Sequence, residues 1–265
     1  MSDKILVFIP CYNCAPQIPR VIEKCLRPEN AYISEIIVVD NGSADGTIAA
    51  AQGALAKQEQ IPWKVLKNSR NYNLGGSHKV AFEYALRQQF THVIAVHGDD
   101  QADISDLAPH VQAGRHRQVD ALLGSRFIKG AELQGYGGFR LFGNAVFNAL
   151  FSVFSGKRVE DMGSGLNLYG RKVLEAGDYR MAADDLTFHC YFLLNMISRH
   201  RNLQYFPIHW SESDQVSNAK LFRQAWKILK LLLAYRAFGG GQLEREPTKT
   251  VPIYDYSVIA EGATP

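Results

Sequence analysis

Between His97 and Asp103 the chain reads His-Gly-Asp-Asp-Gln-Ala-Asp, which sets three carboxylates and one amide within five residues. Like charges packed so closely repel, so something must offset them: a hard divalent cation, basic side chains or the amides of a helix N-terminus. Asp99, Gln101 and Asp103 offer the oxygen donors that Mg2+ or Mn2+ prefer, and these ions often bridge to phosphates. The competing expectation is an acidic turn whose aspartates cap the next helix. The surrounding chain decides between the two.

The acidic run follows an apolar segment, Val93 to Val96, that reads as a buried strand. Ile5 to Ile9 is a similar apolar run, ended by Pro10, and it leads through Cys11-Tyr12-Asn13 into a helix carrying Ile18, Val21, Ile22 and Leu26. A second strand, Glu35 to Asp40, opens into the polar loop Asn41 to Thr47, where Asp45 or Thr47 is placed to cap a helix starting near Ile48. Trp63 to Leu66 is the third strand, and Asn71 to Ser77 reads as a loop opening the helix through Val80 and Tyr84. Strands alternating with helices at this spacing predict βαβ units and a parallel sheet. Right-handed crossovers then bring all the strand ends to one edge, where open α/β sheets bind ligands. That edge would gather Tyr12, Asn13, Asp40, the Asn73–Ser77 loop, Asp99 and Gln101. An aromatic ring, a ring-binding carboxylate, backbone amides and a metal cluster together suit a nucleotide diphosphate. Neither phosphate-binding glycine motif follows any of the strands, which argues against P-loop enzymes and dinucleotide dehydrogenases.

Downstream, Ala121 to Phe127 reads as a strand with Arg126 at its exit, and residues 130–138 as a flexible glycine-rich loop carrying Tyr136. Arg140 opens a helix through Val146 and Val153, Asp161 to Tyr169 is a loop entering a strand, and Asp184 and Asp185 precede an apolar helix from Phe188 to Ile197. Leu203 to Trp210 reads as a late strand. Between Lys220 and Phe238 no acidic residue occurs; Trp226, Leu229, Leu232 and Leu233 group against Lys220, Arg223, Lys227 and Lys230, the pattern of an interfacial amphipathic helix or of a core-packed helix with a basic edge. The segment after Gly239 lacks periodicity and reads as a loose arm.

With 265 residues the chain can bury a sizeable core, and a formal charge of +3 gives nucleic-acid binding no global support. Cys11 and Cys14 have C-x-x-C spacing, but no second pair with zinc spacing accompanies them, so ordinary thiols are expected. With no charged leader and no run of eighteen apolar residues, the expected setting is reduced and cytoplasmic, either free or peripheral on the inner face of a membrane.

Pro10-x-Tyr12-Asn13, Val38 to Thr47, Asn73-Leu74-Gly75-Gly76, Gly98-Asp99-x-Gln101-x-Asp103 and Gly124-Ser125-Arg126-Phe127 follow one another in order. Together they resemble family 2 glycosyltransferases of the GT-A fold, most of all the branch containing dolichol-phosphate mannose synthase and related polyprenyl-phosphate transferases. The resemblance implies a Rossmann-like, mostly parallel central sheet flanked by helices over residues 1–215, an amphipathic helix over 216–238 and a tail over 239–265. It implies nucleotide-sugar contacts from Pro10, Tyr12, Asn13, Asp40, Asn41, Asn73, Gly75, Asp99 and Asp161, and a metal, Mn2+ or Mg2+, on Asp99 and Gln101. His97 stands where the family's first metal-motif aspartate is usual; imidazole suits Mn2+ better than Mg2+. Arg126 and Arg140 match phosphate-contacting positions, Arg140 with Asn144 the acceptor segment, and Asp185 or Asp184 a catalytic base. Cys14 replaces a common glutamate, and Ser213 stands where the lipid-phosphate branch has a basic residue. The implied reaction is inverting transfer from a UDP- or GDP-sugar to a polyprenyl phosphate or lipid-linked glycan at a membrane. A soluble glycan acceptor, a nucleotidyltransferase and a non-catalytic nucleotide-sugar binder are the alternatives, and homo-oligomerisation stays open.

Overall fold

The computed structural model describes residues 3–212, 221–238 and 253–262. Its strands are β1 (Ile5–Cys11), β2 (Ile33–Asp40), β3 (Trp63–Asn68), β4 (His92–Val96) and β5 (Ala121–Ser125), then β6 (Glu132–Gln134), β7 (Leu166–Gly170), β8 (Leu203–Pro207), β9 (His209–Ser211) and β10 (Tyr256–Gly262). The helices are α1 (Ile18–Cys25), α2 (Thr47–Leu55), α3 (Asn73–Arg87) and α4 (Ala108–Gln112), then α5 (Gly138–Ser155), α6 (Arg171–Glu175), α7 (Phe188–Ser198) and α8 (Leu221–Phe238).

Eight strands form one sheet in the order β10-β3-β2-β1-β4-β7-β5-β8. The four N-terminal strands are parallel, as their apolar runs require of strands covered on both faces. β7 enters antiparallel between β4 and β5, and β8 pairs parallel with β5. Side chains alternate between the two faces. Leu6, Phe8, Ile37 and Val39 pack with Phe82 of α3 and Phe188 and Phe192 of α7, while Ile5, Val7, Ile9 and Val38 pack with Ile18, Val21 and Ile22 of α1. Burying each such side chain contributes roughly 1.5–3 kcal/mol. The strand order reverses between β1 and β4, which opens a crevice beyond their carboxyl ends.

Four expectations change. β1 continues through Pro10 to Cys11, because β4 pairs with β1 only as far as Phe8 and no ladder bond needs the missing Pro10 N–H. The 73–77 stretch is the first turn of α3, not a loop, and Asn73 takes the left-handed conformation (φ 57°) that starts it. Residues 132–134 of the glycine-rich stretch form β6, paired with β9. The loose arm is corrected outright: Tyr256 to Gly262 is β10, hydrogen-bonded antiparallel along β3 as an edge strand.

α8 packs through Leu231 and Leu232, with Ile228 and Tyr235, onto the α3/α7 core, leaving Trp226 and Leu233 exposed. Leu232 therefore lies on the core side, not with Trp226. Lys220, Ser213 and the segment between them lie outside the described residues, as do residues 239–252. Among the described residues no helix is long and apolar enough to cross a membrane.

His92 opens β4 with its ring against His116 at 4.9 Å, and burial pushes its pKa down to about 4. The unfolded chain takes up that proton near 6.5, the folded chain only near 4. The stabilisation is thus complete above about pH 6.5 and is lost as pH falls towards 4. Urea denaturation across this window should show His92→Gln losing about 3 kcal/mol less than wild type between its two ends. Parallel pH profiles for the two proteins would assign the acid sensitivity to other groups.

Candidate active site

The repulsion within the acidic run is resolved mainly by α1. Asp100, in a left-handed conformation (φ 61°), accepts from Arg20 Nε at 2.6 Å and pairs with Lys24 Nζ at 2.8 Å. Asp103 pairs with Arg27 at 3.0 Å and accepts the Ser105 amide at 3.0 Å. Asp103 is therefore a cap and ion-pair partner, which removes it as a metal ligand. Asp99 makes no ion pair among the described residues; it accepts only a long bond from the Gln101 amide at 3.3 Å and faces the crevice with Gln101. Gly98 makes this possible. Its N–H donates to the Pro10 carbonyl at 3.1 Å, and a Cβ there would sit 2.7 Å from Cys11 Sγ and 3.2 Å from Cys14 Sγ. The C-x-x-C pair is thus the packing surface under the turn, and burial holds the Cys11 thiol protonated.

A cleft of about 790 Å³ opens over these strand ends. It brings together Pro10, Tyr12, Asn41, Asn73, His97, Asp99, Gln101, Arg126, Arg140, Asn144 and Asp185. Asn13, Asp40, Gly75, Asp161 and Asp184 do not line it. Each of these has another partner. Asp40 is fully buried and accepts the amides of Gly42 (3.0 Å) and Ser43 (3.2 Å), so it shapes the 41–47 loop from within. Asn13 accepts the Ala44 amide at 2.9 Å and ties the same loop to β1. The Gly75 amide donates to the Asp184 carbonyl at 2.7 Å, so it is not available to a phosphate. Asn41 reaches the cleft wall, but its side chain joins Asn71, Asn68 and the Tyr72 amide at 2.8–2.9 Å.

On the other wall the expected cations are already paired. Arg126 holds Asp161 through two bonds of 2.8 Å, with its guanidinium 4.7 Å from the Trp210 ring centroid. Arg140 pairs with Glu212, and Asn144 donates to the Tyr136 hydroxyl at 2.7 Å. Asp184 is no free base: its Oδ1 takes the buried Lys79 ammonium (2.8 Å) and the Tyr254 hydroxyl (2.7 Å). Asp185 does face the cleft. Burial raises its pKa, but bonds from Lys227 and Thr187 outweigh this and hold the carboxyl below the usual range. Lys227, Glu212, Lys79 and Tyr254 had no signal in local spacing, since each meets its partner across 42 or more residues.

His97, expected beside Asp99 as a ligand, has its ring among two further histidines, His78 of α3 and His189 of α7. One ring nitrogen from each lies within 4.8 Å of the other two.

The chain is similar to known proteins in sequence and in fold. The model of Glycosyl transferase family 2 matches residues 6–177. A polyprenol monophosphomannose synthase of Mycolicibacterium smegmatis is 28% identical over 195 residues, which cover 72% of this chain and 69% of the relative. An undecaprenyl-phosphate 4-deoxy-4-formamido-L-arabinose transferase of Sodalis glossinidius is 29% identical over 180 residues; they cover 66% of this chain but only about half (51%) of that relative's length. The fold is shared with glucosyl-3-phosphoglycerate synthase from Mycobacterium tuberculosis, solved in complex with Mn2+, UDP-glucose and phosphoglyceric acid. That likeness has a TM-score of 0.59 at 14% identity and covers 90% of this chain and 80% of the other.

Gly75 is where the site loop and α3 meet: a Cβ would fall 2.4 Å from the Ala183 carbonyl and 2.9 Å from Asp184 Cα, both backbone atoms. Gly75→Ala should cost about 1–3 kcal/mol in thermal or urea denaturation and speed amide exchange over residues 183–187. Gly53→Ala, in α2 with open space around it, is the control and should be neutral or slightly stabilising. If the two variants behaved alike, the close approach would not be holding the loop.

Proposed function

The chain belongs to Glycosyl transferase family 2, and from that premise we propose that it transfers a sugar from a UDP- or GDP-sugar to a polyprenyl phosphate presented at a membrane surface. One observation carries the proposal: donor-side Pro10, Tyr12 and Asn73, the oxygen donors Asp99 and Gln101, and acceptor-side Arg140 and Asn144 all line one cleft. The relatives named above act on polyprenyl phosphates by name, which supports the acceptor class.

Asp99 and Gln101 fit a divalent cation, Mn2+ or Mg2+, because Asp99 is the carboxylate of its run without a cationic partner among the described residues. Such an ion, when bound, offsets charge on the diphosphate leaving group. The chain's own residues do the rest. The exposed Tyr12 ring and Pro10 give the base a surface beyond β1. Arg126, fixed by Asp161, presents a buried guanidinium towards developing phosphate charge. Asp185 is kept ionised, but Lys227 and Thr187 occupy its lone pairs, which leaves it a weak proton acceptor. A phosphate acceptor, already anionic, needs no such base, and its oxygen attacks the anomeric carbon in line with inversion. Next to Arg140 and Asn144, the outer face of α5 exposes Phe142, Val146 and Val153 at helical spacing, and α8, which packs against α5, exposes Trp226 and Leu233. An apolar surface of this kind suits a polyprenyl chain at a bilayer.

The pairing of Arg140 with Glu212 favours a second reading, in which the acceptor is a glycan hydroxyl on a lipid carrier and Asp185 serves as base after Lys227 moves away. Transfer of radiolabelled sugar to undecaprenyl phosphate, against transfer to a lipid-linked disaccharide, separates the two readings.

Calorimetric titration of UDP and GDP with and without Mn2+ tests the donor side. Wild type should bind one of them at least tenfold more tightly with the ion, and Asp99→Ala should lose that gain while melting no lower, since a repelling charge is removed. Full sugar turnover by Asp99→Ala would rule the assignment out.

Co-sedimentation with anionic liposomes tests the membrane side. Wild type should pellet at low salt, Phe142→Ser/Val153→Ser should pellet several-fold less, and Lys230→Glu should pellet less at low salt with a shallower dependence on salt. Wild type remaining in the supernatant would point to a soluble acceptor.

A further inference from the structure

The inward ring nitrogens of His78, His97 and His189 have no role in the reaction above. Nε2 of all three is buried without a hydrogen-bond partner among the described residues. Three orphaned imidazole nitrogens in one place are costly for a fold, because each forgoes the bond that water would give it. They also have the chemistry of a ligand set. His78 Nδ1 lies 2.9 Å from the Leu74 carbonyl, so this nitrogen carries the proton and Nε2 keeps its lone pair. A backbone carbonyl on the far nitrogen is the usual orienting partner of a metal-bound histidine.

We infer that His78, His97 and His189 form a nitrogen-donor site for a borderline transition-metal ion, with Zn2+ the expected occupant, separate from the oxygen donors Asp99 and Gln101. One ring nitrogen of each histidine lies within 4.8 Å of one from each of the other two. A metal–nitrogen distance of about 2.0–2.1 Å needs donors roughly 3.3 Å apart, so small side-chain shifts close the site. Burial pushes His78 down to about 3 and His189 well below its ordinary value, so both are neutral at physiological pH, the form that ligates. All-nitrogen donors favour Zn2+ over Mg2+, which prefers oxygen and water. His97 and His189 line the cleft, which gives an ion its entry path and leaves a coordination position open on that side. The ion would join the start of α3, the end of β4 and the start of α7, the three elements that set the floor of the cleft.

The test uses the metal-stripped full chain, titrated with ZnCl2 against a chromophoric chelator and separately with CoCl2 in the visible range. Wild type should take up one equivalent of Zn2+, with a rise in Tm of about 5 °C or more at a hundredfold excess over Kd. Co2+ should give the intense ligand-field bands of a four- or five-coordinate nitrogen site. His189→Gln and His97→Asn should weaken Zn2+ binding at least 100-fold. His116→Gln, in the other histidine cluster among the described residues, and Asp99→Asn should leave it within threefold. No stoichiometric Zn2+ uptake by wild type, or only the weak bands of an octahedral oxygen site with Co2+, overturns the proposal whether or not the variants fold. So does binding that survives His189→Gln but falls with Asp99→Asn or His116→Gln.

Discussion

Two cations of α1 govern where the acidic run at the end of β4 points. Asp100 is almost fully buried, and an uncompensated carboxylate there would be prohibitive; Arg20 and Lys24 meet it at 2.6 and 2.8 Å. Arg27, one turn further along, takes Asp103. With both neighbours turned towards the helix, the left-handed backbone at Asp100 turns Asp99 the other way, over the crevice between β1 and β4. The helix that covers one face of the sheet therefore also sorts the carboxylates. One is left facing the cleft and two hold the scaffold.

The opposite wall follows the same logic with the signs reversed. Arg126, Arg140 and Lys227 each have a carboxylate partner, in Asp161, Glu212 and Asp185. The Arg126–Asp161 pair is nearly sealed from water, and breaking a buried pair by removing one partner typically costs about 3–5 kcal/mol. The cleft is thus close to charge-balanced, with side chains held in place by partners rather than by a ligand. An anionic donor or acceptor gains most where a cation can be shared without losing its partner. The bidentate geometry of Arg126 leaves room for that, because a guanidinium has five donors.

The far end of the chain is part of the same construction. β10 closes the β3 edge of the sheet, and Tyr254 just before it reaches Asp184 beside the buried Lys79. The loop carrying Asp184 and Asp185 is therefore braced from α3, from α8 through Lys227 and from the C-terminal strand. Exposed apolar surface is likewise distributed. The amphipathic pattern of α8 drew attention to Trp226, yet Leu231 and Leu232 bury that helix against the core, and among the described side chains α5 offers the longer exposed apolar stripe.

The sequence by itself determined the parallel βαβ half, because runs such as Ile5–Ile9 and Val93–Val96 carry their own evidence of burial on both faces, and parallel strands must bring their ends to one edge. It also placed Tyr12, Asp99 and Gln101 at that edge, since each lies within a few residues of a strand end. Local spacing could not tell which polar residue beside a strand end faces the ligand and which supports the loop. Asp40 and Asp99 each stand at the end of an apolar strand, but two loop amides claim the first and, among the described residues, nothing cationic claims the second. Only the tertiary structure decided that, together with the pairing of Asp184 by Lys79, the antiparallel β10 and the meeting of three histidines from α3, the end of β4 and α7. The last three depend on groups that meet across 19 to 199 residues of chain, and the energies that decide them, desolvation against pairing, exist only once those groups have been brought out of water together.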